Sequence, residues 1–421
     1  MQVGTAFSSE HRILIVGAGV SGLSAARMLS DRRLNVDVVE GSSRVGGLIS
    51  CTVEEGYLFH RVGGHVFNSK DQKVLEWFWS IFDKDKDFFK VRRNAQILLG
   101  NRKYKYPIEN HIFQFEANLA RQIIFELLEL PKIEDFLNFK DFLRYKFGET
   151  LCELYFYPYN EKIWQSTLED ISVDWLHGKL PSPSLAGIFE SNILRNDQCE
   201  MPHSWFYYPK RGGSQFIVEG LAQGLEIAMK SKLEMMSIQR DGIKVNGKLY
   251  DRVIYTGDIR DLHQIIVTDD NRLQHILKEV SDIPSHGTSN LLCECDPTDL
   301  SWLYLPDRGT AAHRIIYTGG FSSANNAAPD KSSCVVEFTG YLTESEMLNE
   351  ALKLPGIRRG IASNYTANSY VMHTNETKEK VGAARQALES LRIHLLGRFA
   401  EWEYYNMDTA IRSAMLLVSK F

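Results

Sequence analysis

The sequence predicts an α/β protein: a Rossmann-like dinucleotide-binding domain built from discontinuous segments, with an inserted helical domain and an antiparallel-sheet domain for substrate. Three observations predict it. Residues 12–16 (RILIV) form an apolar run without alternation, the pattern of a parallel strand covered on both faces. That run leads at once into Gly17-Ala18-Gly19-Val20-Ser21-Gly22, a helical LSAARML and a second strand, VDVVE, ending on Glu40. Past residue 110 the apolar period becomes helical, and past residue 260 strand-like runs return.

In the first element each residue has a physical job. Gly17 permits the tight turn, Gly19 lets backbone approach a pyrophosphate, and Gly22 lets the helix pack on the strand. The helix start at Val20 and Ser21 presents unpaired N–H groups to phosphate. Glu40 is placed to accept hydrogen bonds from ribose hydroxyls. It is followed by Gly41, Arg44, Gly46, Gly47 and Leu48, a segment that a nicotinamide dinucleotide does not require. FAD is longer, and an arginine with paired glycines offers charge and close approach along its extended part. A third glycine pair, Gly63-Gly64-His65, follows one hairpin-like segment.

The next elements change character. NHIFQFEANLARQIIFELLEL, FLNFKDFLRYKF and GETLCELYFYPYNEKIW carry apolar residues at helical spacing, with most aromatics expected in a core. From Trp205 the chain reads as a loop entering a helix, then as strands around an Asp-Gly turn. SNLLCEC, HRIIYTG and SCVVEFTGY read as a sheet, and the final segment as strand, turn and helix. The expected division is residues 1–105, 205–260 and 379–421 for the FAD-binding domain, 106–204 for the helical domain and 261–378 for the sheet. There are no repeats and no low-complexity tracts.

Bulk properties bound the function. The 421 residues carry a formal net charge of −5 with 44% hydrophobic residues, ordinary for a globular enzyme and without a polyelectrolyte signature, so no nucleic-acid partner is expected. Six cysteines are scattered without zinc spacing, so no metal is expected; Cys293 and Cys295 would share one face of a strand. No apolar run approaches the about 18 residues of a membrane span, and MQVGTAFSSEH lacks a signal-like apolar stretch, so the expected location is cytoplasmic.

GAGVSGL, E(x)3RVGGL and GGHVF resemble the large FAD family of amine oxidases, protoporphyrinogen oxidase and UDP-galactopyranose mutase. Four segments resemble the mutase group in particular. They are Gly64-His65-Val66-Phe67 with NSKDQKV, Tyr159-Asn160-Glu161-Lys162-Ile163-Trp164, RVIYTGDIRDL, and Gly397-Arg398-Phe399 through Tyr404-Tyr405-Asn406-Met407-Asp408. The resemblance implies FAD contacts at Gly63, Gly64, His65, Met235, Gly397, Arg398, Asn406, Met407 and Asp408, in addition to the N-terminal glycines. It implies substrate contacts at Tyr159, Asn160, Trp164, Arg195, Tyr208, Arg314, Tyr370 and Tyr404, with His65, Arg314 and Arg398 at the chemistry. Read alone, Tyr159 and Trp164 could equally be helix core, and Arg314 a surface ion pair. Three departures stand out: Asn406 replaces a family carboxylate, Glu403 a family arginine, and His60-Arg61 precede the glycine pair. They suggest rebuilt surroundings for the diphosphate and a different sugar or base.

The implied activity is a mutase interconverting pyranose and furanose forms of a nucleoside-diphosphate sugar. Reduced flavin N5 would displace the diphosphate from the anomeric carbon, without net redox change. NAD(P)H or another reductant would serve only to reduce the flavin. Self-association is left open. WLYLPDRGTAAHRIIYTGG is closer to the oxidase-like branch, so an FAD-dependent oxidase or desaturase is the alternative. A catalytically silent flavoprotein that partners another enzyme is the third reading.

Overall fold

The computed structural model describes residues 12–421, apart from 132, 134, 174–175, 177–183 and 196–203. The N-terminal MQVGTAFSSEH, Cys199 and both ends of the 181–200 segment read as a potential closing loop (181–183 and 196–200) therefore lie outside the described residues.

Four separated stretches of chain make one parallel sheet. Its order is Ile393–Leu395, Arg252–Tyr255, Arg12–Val16, Asn35–Val39 and Ile227–Ala228. The unalternating RILIV run is explained by two covers. Ile13 and Ile15 pack with Leu23, Leu29, Ile411 and Val418 on one face, while Leu14 and Val16 pack with Leu273, Leu277 and Leu388 on the other. Helix Val20–Asp31 crosses from the first strand to the second, and helix Met407–Val418 packs against it. The last helix of the chain is thereby laid beside the first.

The second large element is a seven-stranded sheet in the order Ile357–Val371, Ser285–Cys295, Ser333–Thr339, Ala312–Ile316, Trp302–Tyr304, Ala95–Leu99 and Arg102–Lys105. All its pairings are antiparallel except that of Trp302–Tyr304 with Ala95–Leu99. The hairpin of residues 95–105, expected in the first cofactor segment, thus completes this sheet. Its strands are too short to announce a distant partner from pattern alone. Cys293 and Cys295 share one face and meet Cys334 in a single apolar cluster, all three as free thiols.

The described residues between 108 and 193 are mainly helical. They include Ala117–Glu129, Phe139–Phe147, Tyr157–Trp164 and Leu185–Ile193. Asn138 caps the second of these by accepting from the Asp141 N–H. The aromatics are chiefly core: Phe139, Phe142, Phe147 and Tyr155 are buried together. The stretch after residue 204 differs from its reading as a loop, because Trp205–Pro209 is a strand paired antiparallel with Phe88–Arg92. Its alternation was legible: Phe206 and Tyr208 point inward, Trp205 and Tyr207 outward.

Gly22 carries the strand–helix contact. A Cβ there would lie 2.0 Å from the Gly17 carbonyl oxygen, which is backbone and cannot rotate away. Gly22→Ala is expected to cost about 1–3 kcal/mol through forced backbone displacement and to lower retained flavin. Thermal melts with flavin absorbance check this; an unchanged midpoint and full flavin content would contradict it.

Candidate functional site

A cavity of about 800 Å³ opens at the carboxyl ends of the parallel strands, where this topology places its ligands. Its wall joins both ends of the chain. Gly17, Gly19, Val20, Ser21, Glu40 and Gly41 come from the first strands, with Gly46, Gly47 and Leu48 from the following turn. Gly64, His65, Gly397, Arg398, Asn406, Met407 and Asp408 complete it.

The two N-terminal glycine segments meet backbone to backbone. The Gly46 N–H donates to the Ala18 carbonyl at 2.9 Å, and Gly19 and Gly46 form a parallel bridge. The Glu40 carboxylate locks this arrangement, accepting from the Ala18 N–H at 2.7 Å and the Ser42 N–H at 2.8 Å. Helices Val20–Asp31 and Met407–Val418 both start at the cavity, and neither has a side-chain cap on its N-terminus. Two sets of helix N–H donors therefore remain for an anion. His65 Nε2 is buried without a partner. A pyrophosphate with a hydrogen-bonding ring system answers these donors and this orphan atom, so the residues fit FAD.

Other expected contacts fall elsewhere. Gly22 and Gly63 lie behind the wall. Arg44 gives its guanidinium to the Cys51 carbonyl and does not line the cavity. Met235 is 49% exposed and points away, because the strand Met236–Gln239 turns Met236 into the core; Ser231, Lys232 and Leu233 line the cavity instead. Tyr208 is fully buried behind the site, between His60 Nε2 at 2.7 Å and the Asn325 amide at 2.8 Å. Asn160 donates back to the Phe156 carbonyl of its own helix, and Arg195 is exposed at the end of helix Leu185–Ile193. These three are structural or remote rather than cavity-lining. Tyr159 is buried, stacked on Tyr155 and edge-on to Tyr304.

Arg314, Tyr370, Tyr404, Trp164 and Arg398 are brought together. The Tyr370 and Tyr404 rings stack at 5.7 Å, the Arg398 guanidinium lies 5.0 Å over Tyr404, and Trp164 approaches both tyrosines. Arg398 is aimed by the Tyr405 and Ser369 carbonyls. Arg314 is ion-paired, as it could be when read alone, but part-buried rather than at the surface. It forms a forked pair with Glu337 at 2.8 and 2.9 Å and donates to the Tyr370 hydroxyl at 3.3 Å. Burial alone would raise the Glu337 carboxyl, but Arg314 and His313 hold it well below the carboxylate range. The Gly63–Gly64 turn sits on this pair: Gly63, at φ +64°, would place a Cβ 2.8 Å from Glu337 Oε2.

Two histidines behind the glycine pair are neutral. Burial, then the Arg398 charge, push His65 down to about 4. Burial, then His65, push His60 down to about 3. Arg61, the second departure in that segment, donates twice to Asn364 and so ties the turn to the large sheet. Asn406 takes the position before the final helix and lines the cavity. Sequence reasoning also missed Arg93, in KVRRNAQ, which lines the cavity; among neighbouring basic residues no spacing distinguished it.

The sequence profile of the flavin-containing amine oxidoreductases matches residues 20–353. The chain belongs to that family. Relatives include the UDP-galactopyranose mutase of Mycoplasma genitalium, 23% identical over 59% of this chain and 61% of that protein. The dTDP-fucopyranose mutase of Escherichia coli is 24% identical over 37% of this chain and 42% of that protein. An L-amino-acid oxidase of Siganus canaliculatus is 37% identical over 62% of this chain and 50% of that one. The chain thus spans 61% or less of the length of these relatives. A crystal structure of reduced UDP-galactopyranose mutase shares the fold with a TM-score of 0.86 at 21% identity, over 97% of this chain and 95% of that one. Membership of that family implies FAD. Among the described residues no helix is long and apolar enough to cross a membrane, and no side-chain group could hold a metal.

Two measurements probe the site. Arg314→Met strands a buried carboxylate and is expected to cost about 3–5 kcal/mol, whereas Arg314→Met with Glu337→Leu should recover part of it. Urea melts decide, and a double variant no more stable than the single would contradict the pairing. The histidines set a pH dependence. Unfolding frees His60 and His65 to protonate near 6.5, while the folded chain resists until about 3 and about 4. The unfolded state therefore binds more protons between those values, and stability falls as pH drops below about 6.5, by up to about 1.4 kcal/mol per pH unit per site. A melting temperature that stays level or rises between pH 7 and pH 5 would contradict the assignment.

Proposed function

We propose that this protein is an FAD-dependent mutase that interconverts pyranose and furanose forms of a nucleoside-diphosphate sugar. The observation that carries the reading is the stacked Tyr370–Tyr404 pair flanked by Arg314 and Arg398. Two phenols and two guanidiniums clustered together, with Arg398 at the cavity wall, suit a diphosphate that must leave an anomeric carbon and return to it. The mutases among the relatives support the same reading.

When bound, the reduced flavin supplies the nucleophile. The chain's own residues do the rest. Glu337 fixes the Arg314 plane so that Arg314 acts as an oriented donor rather than as a net positive charge. Tyr404 offers a hydroxyl hydrogen bond to a phosphate oxygen, the Tyr370 hydroxyl donates to Glu337, and Trp164 packs the edge of the pair. Arg398 carries the charge of this region, since its own acceptors are neutral carbonyls. His65 is neutral at working pH, so it shapes the flavin environment and does not act as a cationic acid. The 106–204 segment would then form the substrate-facing lobe, with Tyr159 and Trp164 behind the substrate.

The alternative is hydride transfer from substrate to flavin, as in an oxidase. The neutralised Arg314 and the L-amino-acid oxidase relative favour it. One experiment separates the two. Protein reduced with dithionite is incubated with UDP-, dTDP- and GDP-sugars, and the ring forms are separated. The mutase reading expects interconversion of at least one sugar without consumption of reductant. No isomerisation across the panel, together with stoichiometric flavin reduction by an amine or a porphyrin precursor, would overturn it.

A further inference from the structure

Arg93 stands at the cavity wall beside Val66, Phe206 and Trp302. Its backbone is fixed on both sides. The Arg93 N–H donates to the Ser204 carbonyl at 2.9 Å, and Asn94 exchanges hydrogen bonds with Ser301. Its guanidinium lies 4.8 Å over the Trp302 ring and 5.6 Å over that of Tyr106, and one Nη donates to the Tyr304 hydroxyl at 2.5 Å. Packing between ring faces holds the guanidinium plane without neutralising it.

What this arrangement omits is a counter-ion. Among the described residues no carboxylate lies within ion-pair distance of Arg93, and its Nε is buried without any acceptor. The neighbouring Tyr106 phenol is pushed up by burial and by Tyr304, so it does not ionise to supply a negative charge. Arg314, by contrast, is matched by Glu337, and Glu337 by His313 as well. A rigid guanidinium on a cavity-lining residue, with a buried donor left unpaired, is incomplete without an anion.

We propose that Arg93 is the receptor for an oxyanion carried by the substrate. The anion is a planar carboxylate or a diphosphate oxygen, either of which matches the guanidinium fork. A carboxylate source would be a uronic-acid sugar in the mutase reading or a carboxylate-bearing small molecule in the oxidase reading. The inference therefore does not fall with the mutase assignment.

The test titrates oxidised holoprotein with UDP, UDP-galactose, UDP-glucuronate, inorganic pyrophosphate and acetate, following the perturbation of the flavin absorbance band. At least one of these anions is expected to bind, and Arg93→Met is expected to weaken it by about tenfold or more, the effect of losing a charge-assisted hydrogen bond. Loss for UDP and pyrophosphate assigns the diphosphate. Loss confined to UDP-glucuronate assigns a sugar carboxylate, and loss confined to acetate a small carboxylate. Arg93→Lys keeps the charge without the fork and should give a smaller loss; it carries the test if Arg93→Met fails to retain flavin. Equal affinities for wild type and variants, or no response to any anion, would overturn the proposal.

Discussion

The forked pair between Arg314 and Glu337 is the constraint on which the site depends. Glu337 is 2% exposed on an interior strand of the large sheet, and leaving water costs a carboxylate several kcal/mol unless it is paired and hydrogen-bonded. Arg314, His313 and Tyr370 supply those partners from two other strands. The pair in turn fixes what rests on it. Gly63 sits directly over the Glu337 carboxylate, and its N–H donates to Asn290, so the turn that presents Gly64 and His65 has one seat. The sheet thus positions a wall of the cavity.

From that seat the arrangement extends in two directions. Toward the parallel sheet, Glu40 and the two glycine segments lock backbone to backbone, and two helix N-termini converge on the same space. Toward the helical region, Tyr370 leads through Tyr404 to Arg398, with Trp164 at the edge. Positive potential is consequently supplied by helix ends and by Arg398 and Arg93, rather than by the net charge of −5. A neutral His65 between them keeps a polar atom available without adding another cation.

Much of this was legible in the sequence where the physics is local. RILIV followed by GAGVSG has one compact solution, and the strand, turn and helix are where that pattern places them. Glu40 was legible because the strand length fixes where its carboxylate emerges. Long-range pairing was not. Residues 95–105 join the large sheet through Trp302–Tyr304, and nothing in a five-residue strand names a partner two hundred positions away. Arg314 was identified, and read alone as an ion pair, but its partner was not, because Glu337 meets it only across two paired strands. Met235 and Tyr208 show the same limit, since a one-residue change of facing in a strand moves a side chain from cavity to solvent or core. Arg93 was invisible for want of any local signal among its basic neighbours.

The central claim is that the anomeric bond to diphosphate breaks and reforms within a flavin-dependent site. The most direct measurement follows the bridging oxygen of a nucleotide sugar labelled there with heavy oxygen, by phosphorus NMR. With reduced holoprotein the label should scramble from the bridging into the non-bridging positions, and with oxidised holoprotein it should stay in place. Retention of the label under reducing conditions, with the sugar's ring form nonetheless changing, would contradict the account.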